Sequence, residues 1–318
     1  MKSLAIVEKL CGPVLYTAFL LIVSAVWMPP ILRPGDSFEH IFVLDITRSM
    51  NVQDYKIDSR ATTRLDFSKQ ALTRAIRDLP CGSRAGLGVF SERQSTLLFT
   101  PIEVCQSYGE IVAAIDHLHW AMAWAADSRV AKGLHSALEL VRDFDASLIF
   151  LTDGHESPPL NPLYITSFNE LKGKTKGLIV GVGDLTPAPI PKFDSRGKQI
   201  GFYSAEDVPH RSTFGLSNLD HSQIQGYNPR NAPFGSEQFI GNEHLSALHE
   251  NYLKQLATQS GFDYHRLVSF EKFSEITRAS SLARTRTVPI DSAWLPASVA
   301  LGLLILFYSL GVYFERKS

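Results

Sequence analysis

Short apolar runs alternate with helix-spaced patterns along most of this chain. Residues 38–46, FEHIFVLDI, end in a continuous apolar run, the pattern of a strand buried on both faces. ASLIFLTDG (146–154) and KGLIVGVGD (176–184) repeat that pattern, and FDYHRLV (262–268) predicts a last strand. Residues 64–79 place Leu65, Phe67, Ala71, Leu72, Ala75, Ile76 and Leu79 at helical spacing. Further helical patterns cover 108–118, 130–144, a stretch from Asn242 closed by Gly261, and FEKFSEITRASS (270–281). AGLGVFS and STLLFTP, separated only by Glu92, Arg93 and Gln94, predict a tight hairpin. The order implies an α/β fold: a doubly wound, mostly parallel sheet with one antiparallel strand, covered on both faces.

Two features interrupt that rhythm. Residues 185–241 turn to proline, glycine, serine and asparagine, a long insertion with a hairpin expected at KQIGFYS. At the ends, no charge falls between Lys9 and Arg33, nor between Trp294 and Phe314. Both segments approach the length of a membrane span, and aromatic residues flank the second. The expected organisation is a tail (1–12), a transmembrane signal anchor (13–32), a domain (38–275), a linker (276–293), a second transmembrane helix (294–314) and a tail (315–318). SAVWMPPILRPG offers no clean small-x-small cleavage site, so the first segment is read as retained. Lys2 and Lys9 favour a cytoplasmic N-terminus and an exported domain.

Charge narrows the function classes. With 31 basic and 32 acidic residues the net charge is −1, which gives no electrostatic case for nucleic acid. In open parallel sheets ligands bind beyond the carboxyl ends of the strands. Asp45 and Asp153 each follow an apolar strand run, so both are expected on that edge, with Thr47 and Ser49 on the first loop. An all-oxygen cluster of this kind suits Mg²⁺, Ca²⁺ or Mn²⁺ rather than Zn²⁺ or copper.

DITRS (45–49) resembles the D-x-[ST]-x-S signature of von Willebrand factor A domains, the metal-ion-dependent adhesion site. SRVAKGLHSAL (128–138) is similar to the family's threonine-led helix, with Ser128 in the threonine place, and LTDG supplies Asp153. The resemblance covers roughly residues 38–275. It implies a metal site of Asp45, Thr47, Ser49, Ser128 and Asp153, in which the hydroxyls contact the ion and the two aspartates act mainly through water or by orienting them. An acidic residue of a protein client would complete the shell, so the implied role is docking and the protein is read as no enzyme.

The anchored arrangement further resembles the Bat-like proteins encoded beside MoxR-type AAA+ ATPases. VLDITRSMNVQDY, LPCGSRAGLGVFSER, DSRVAKGL and PKFDSRGKQIGFY look like the von Willebrand A proteins of methanol dehydrogenase gene clusters. Those resemblances imply a bacterial inner-membrane protein with a periplasmic domain, acting as an assembly or maturation factor. Sibling von Willebrand A proteins and a MoxR-type ATPase would be further partners.

Two alternatives stand beside this reading. A haloacid-dehalogenase-like phosphotransferase would use Asp45 as acceptor, but no lysine is well placed for it and Ser49 and Ser128 would have no role. A metal-free membrane scaffold would keep the fold and lose the site. His117 and His119 beside Trp120 and Trp124, and His210 and His221 in the insertion, read as loop or packing residues. Phe202, Tyr203, Phe214, Tyr227 and Phe234 in the insertion are as readily padding as partner surface. Finally, pairing Ser91 with Ser95 across the hairpin gives opposed positions that sum to 186, as do Cys81 and Cys105. An unbroken register in an exported domain would therefore join those cysteines, leaving Cys11 alone.

Overall fold

A computed structural model of the chain describes residues 2–29, 31–124, 127–157, 165–194, 196–208, 242–290 and 292–317. Side chains of 2–11, 32–34, 206, 286–290, 310–311 and 313–317 are not among them. Two compact units are present, one made of both ends of the chain and one spanning Ser37–Arg284.

The end unit contains α1 (Lys2–Val26), β1 (Ile31–Ser37), β14 (Arg284–Ile290) and α7 (Trp294–Lys317). β1 pairs with β14, α1 lies against α7, and Ala18 and Ala300 are buried. Among the described residues, however, no helix is long and apolar enough to cross a membrane. This corrects the expectation of two transmembrane spans. Lys2, Glu8, Lys9 and Pro13 occupy the first half of α1, and Glu315, Arg316 and Lys317 close α7.

In the larger unit, six strands form one sheet in the order β13-β8-β7-β2-β5-β6. These are β2 (Glu39–Asp45), β5 (Arg84–Ser91), β6 (Gln94–Glu103), β7 (Ser147–Thr152), β8 (Gly177–Gly181) and β13 (Asp263–Arg266). All neighbours pair in parallel except β5 with β6. The strands β2, β7 and β8 are buried along their whole length, as continuous apolar runs require. One face is covered by α2 (Arg64–Asp78), α3 (Tyr108–Asp116) and α6 (Phe270–Thr277), around Phe42, Leu72, Ile76 and Phe273. The other is covered by α4 (Val130–Val141) and α5 (Glu250–Ser260), around Phe90, Leu134, Phe150 and Leu253.

Three local expectations change. Ser91 faces Gln94, not Ser95, and two register shifts follow along the hairpin, at Ala85/Leu87 and at Leu87/Gly88. The shifts end with Arg84 opposite Glu103, and just beyond that pair Cys81 and Cys105 are joined in a disulfide. The helix expected from Asn242 begins only at Glu250, because Leu245–Ser246 form a short strand, β12, against β9 (Ala188–Pro189). Gly261, with φ of 81°, still closes that helix. At KQIGFYS, β11 (Gln199–Phe202) turns back on β10 (Pro191–Phe193). The hairpin β3 (Tyr55–Ile57) and β4 (Arg60–Thr62), unforeseen from sequence, lies ahead of α2. His210, His221, Phe214, Tyr227 and Phe234 lie outside the described residues.

Candidate metal site

Parallel β2 and β7 lie side by side, so Asp45 at the end of β2 and Asp153 just after β7 emerge at the same edge. Both side chains are fully buried. Asp45 Oδ1 accepts from the backbone N–H of Thr47 at 2.8 Å, which turns the chain sharply into the 3-10 turn Arg48–Asn51. Its Oδ2 accepts from the Thr152 hydroxyl at 2.6 Å. That turn brings Thr47 Oγ1 and Ser49 Oγ to 3.3 Å from each other.

Ser128 reaches the same edge from a separate loop, just ahead of α4. Its N–H donates to Ser157 O at 2.7 Å and its carbonyl accepts from Ser157 N–H at 2.9 Å, so its backbone is clamped. The Ser128 hydroxyl is buried and has no hydrogen-bond partner among the described residues. With Thr47 and Ser49 it lines a cleft of about 100 Å³, walled also by Arg48, Asp127, His155, Tyr203, Asp207 and Glu243. All five residues expected from the sequence are thus at one sheet edge, three hydroxyls facing the cleft and two aspartates behind.

Electrostatics divides the two aspartates. Burial and the nearby Asp153 charge push the Asp45 carboxyl well above the ordinary carboxylate range. Burial acts on Asp153 in the same direction, but the Arg64 guanidinium and His155 outweigh it and hold Asp153 low. Arg64 Nη1 donates to Asp153 Oδ2 at 2.7 Å, and Ser246 Oγ donates to the same oxygen at 3.2 Å. Asp153 Oδ1 accepts from His155 N–H at 2.9 Å.

Arg64, Thr152 and Ser246 are therefore site residues that the sequence reading passed over. Arg64 could have been noticed, because a cation in the first turn of a helix opposes the helix dipole. Ser246 carried no such signal, since a polar serine amid a helix-like pattern looks solvated.

The donor set fits a hard divalent cation. Oxygen is the only donor type contributed by the five residues, and one hydroxyl is buried without a partner among the described residues, a state that ordinarily costs free energy. Among the described residues no three His, Cys, Asp or Glu side chains converge as a ready-made metal cluster, so an ion here would depend on the hydroxyls.

Residues 40–155 match the family model for the von Willebrand factor type A domain. Among solved structures, an aerotolerance-related membrane protein from Bacteroides fragilis is 14% identical, with 76% of this chain and 96% of that one covered and a TM-score of 0.49. A von Willebrand factor type A protein from Catenulispora acidiphila is 13% identical over 76% of this chain and 42% of that one, at a TM-score of 0.44. A membrane-spanning protein from Vibrio fischeri is 18% identical over 74% and 95%, at 0.28. No curated protein matches the chain. Residues 40–155, with the mostly parallel sheet they help to build, have the α/β fold of a von Willebrand A domain.

Proposed function

We propose that the Ser37–Arg284 unit is a docking module that holds a divalent cation, Mg²⁺ or else Ca²⁺ or Mn²⁺, at Thr47, Ser49 and Ser128, and takes an acidic ligand from a protein client. The observation that carries this reading is the buried Ser128 hydroxyl, without a partner among the described residues, facing the cleft beside Thr47 and Ser49. A cation there would satisfy it, and an ion held by neutral hydroxyls keeps enough positive charge to attract a carboxylate. Asp45 and Asp153 orient the loops and balance charge from behind. Asp45 has both oxygens committed to Thr47 and Thr152 and no exposure, which makes it a poor phosphoryl acceptor. The phosphotransferase alternative loses ground accordingly.

Exposed apolar side chains on α1, among them Leu15, Tyr16, Phe19 and Val26, and on α7, among them Leu301, Ile305 and Tyr308, support association with a membrane. The four segments quoted above support a periplasmic client of the methanol dehydrogenase type, matured together with its metal. A MoxR-type ATPase would be an accessory partner.

The test is a thermal melt of the full chain titrated with MgCl₂, CaCl₂ or MnCl₂ after chelation. Binding to the folded state raises the midpoint by mass action. Thr47→Ala and Asp45→Ala should abolish the rise, and client capture should vanish with chelator. A midpoint indifferent to all three cations would refute the reading.

A further inference from the structure

Arg64 is the first residue of α2 and the largest fully buried side chain in the protein's described residues. Every donor of its guanidinium is engaged. Nε and Nη2 donate to Asp54 Oδ2 at 2.9 and 2.7 Å, and Nη1 to Asp153 Oδ2 and Ser246 Oγ, each at 2.7 Å. Nη2 donates also to the Ser246 carbonyl at 3.1 Å. Room for the group is made by Gly183, whose φ of 124° suits glycine and whose absent Cβ would lie 2.7 Å from Arg64 Nε. A helix start does not need such a residue; its charge there opposes the dipole. The arrangement serves Asp153 and its surroundings.

We propose that Arg64 is a built-in counter-ion for the metal site: it neutralises Asp153 before any cation arrives and so weakens the site's own hold on that cation. This rests on the reading of the edge as a divalent-cation site. Without Arg64 the buried Asp153 carboxylate would stand uncompensated behind the cleft's hydroxyls, and a divalent cation would be drawn in strongly. With Arg64 present, one oxygen of Asp153 is already taken by a positive donor, and an incoming cation meets a like charge behind its ligands. Tight binding then requires the carboxylate that a client supplies, so docking is conditional on both ion and client. Asp54 tunes the device from the far side, sharing the guanidinium's charge.

The experiment measures Mg²⁺ and Mn²⁺ affinity by calorimetry, and thermal midpoints with and without those ions, for the chelator-treated full chain. Wild type, Arg64→Gln, Asp54→Asn and Arg64→Gln/Asp153→Asn are compared. Arg64→Gln is expected to melt lower without metal yet bind Mn²⁺ at least about tenfold more tightly, the scale of removing one like charge at short range. Asp153→Asn should restore much of the lost midpoint in the double variant, because the orphaned carboxylate is gone. Asp54→Asn, which leaves more of the guanidinium's charge on the site, should bind more weakly than wild type. Weaker or unchanged binding by Arg64→Gln, while wild type still binds, overturns the counter-ion and leaves the metal site standing. If only Arg64→Gln responds to metal, the counter-ion holds and a site loaded in the native protein does not; no response in either sinks both. Should Arg64→Gln fail to fold, Asp54→Asn decides alone: unchanged or tighter binding overturns the proposal.

Discussion

The two ends of the central sheet are built on opposite principles. At the carboxyl ends of β2 and β7, buried carboxylates, a buried arginine and a hydroxyl with no partner among the described residues crowd around a cleft. At the other end several polar groups fasten the chain to itself, although His40 Nδ1 and Ser147 Oγ are buried there with no partner among the described residues. Cys81 and Cys105 are bonded across the foot of the hairpin. Glu103 accepts from Gly82 N–H and from Gln106 N–H, each at 2.6 Å, and Phe38 N–H donates to the Ser83 hydroxyl at 3.1 Å. The lesson is a division of labour: one edge opens a hydroxyl-lined cleft, and the other carries the disulfide and the buried bonds that fasten the hairpin. Each of the following changes tests that division, the largest first.

Removing the disulfide should have the greatest effect. It joins residues 24 apart, and opening a loop of that size costs about 3 kcal/mol in the chain-entropy account. Cys81→Ser/Cys105→Ser should therefore unfold at clearly lower urea than wild type. Its midpoint rise with metal should nevertheless match wild type, because the site lies at the far edge. Loss of the metal response as well would mean that the two ends are not independent.

Slightly smaller is the effect of acid on the fastened end. His40 on β2 is fully buried, its Nε2 is 2.9 Å from Thr277 O, and burial lowers its pKa to about 4. An unfolded histidine takes up a proton near pH 6.5, whereas the folded ring stays neutral until about 4. The unfolded state thus binds more protons in that window, and stability falls with pH from about 6.5 to about 4, by up to about 3 kcal/mol. Asp45, held above the carboxylate range in the fold, acts in the opposite direction. The readout is therefore a difference: His40→Gln should lose less stability than wild type between pH 7 and pH 4.5 in urea unfolding. Parallel curves would assign the acid sensitivity elsewhere.

How much of this was legible in the sequence follows the same divide. Strands buried on both faces announce themselves as apolar runs, so β2, β7 and β8 and the aspartates at two of their ends could be read directly. The five residues expected of the site could be brought to one edge from sequence because each lies at or just past the end of a strand or ahead of a helix, where short-range pattern suffices. Arg64, Thr152 and Ser246 act through contacts with residues 89, 107 and 93 positions away, and no local pattern encodes such distances. Bulges were equally hidden. Gly86 and Gly88 permit the register shifts in β5, with an added Cβ at Gly88 coming 2.9 Å from Thr96 O, yet the same residues read as an ordinary strand. The start of α5 was misplaced because Leu245 and Leu248 continue its helical spacing while pairing and burial hold them outside the helix.

The smallest expected stability change separates the two ends most cleanly. Ser83 and Ser128 are both buried serines, one at each edge. Ser83→Ala removes the acceptor for Phe38 N–H and leaves a buried donor unpaired, which should cost about 1–3 kcal/mol. Ser128→Ala removes a hydroxyl with no partner among the described residues, so unfolding without metal should move by no more than about 0.5 kcal/mol. With metal the order reverses: Ser83→Ala should keep its full midpoint rise, and Ser128→Ala should lose it. A Ser128→Ala chain as badly destabilised as Ser83→Ala would make that hydroxyl a fastening like its counterpart. The two ends would then differ in position and not in purpose.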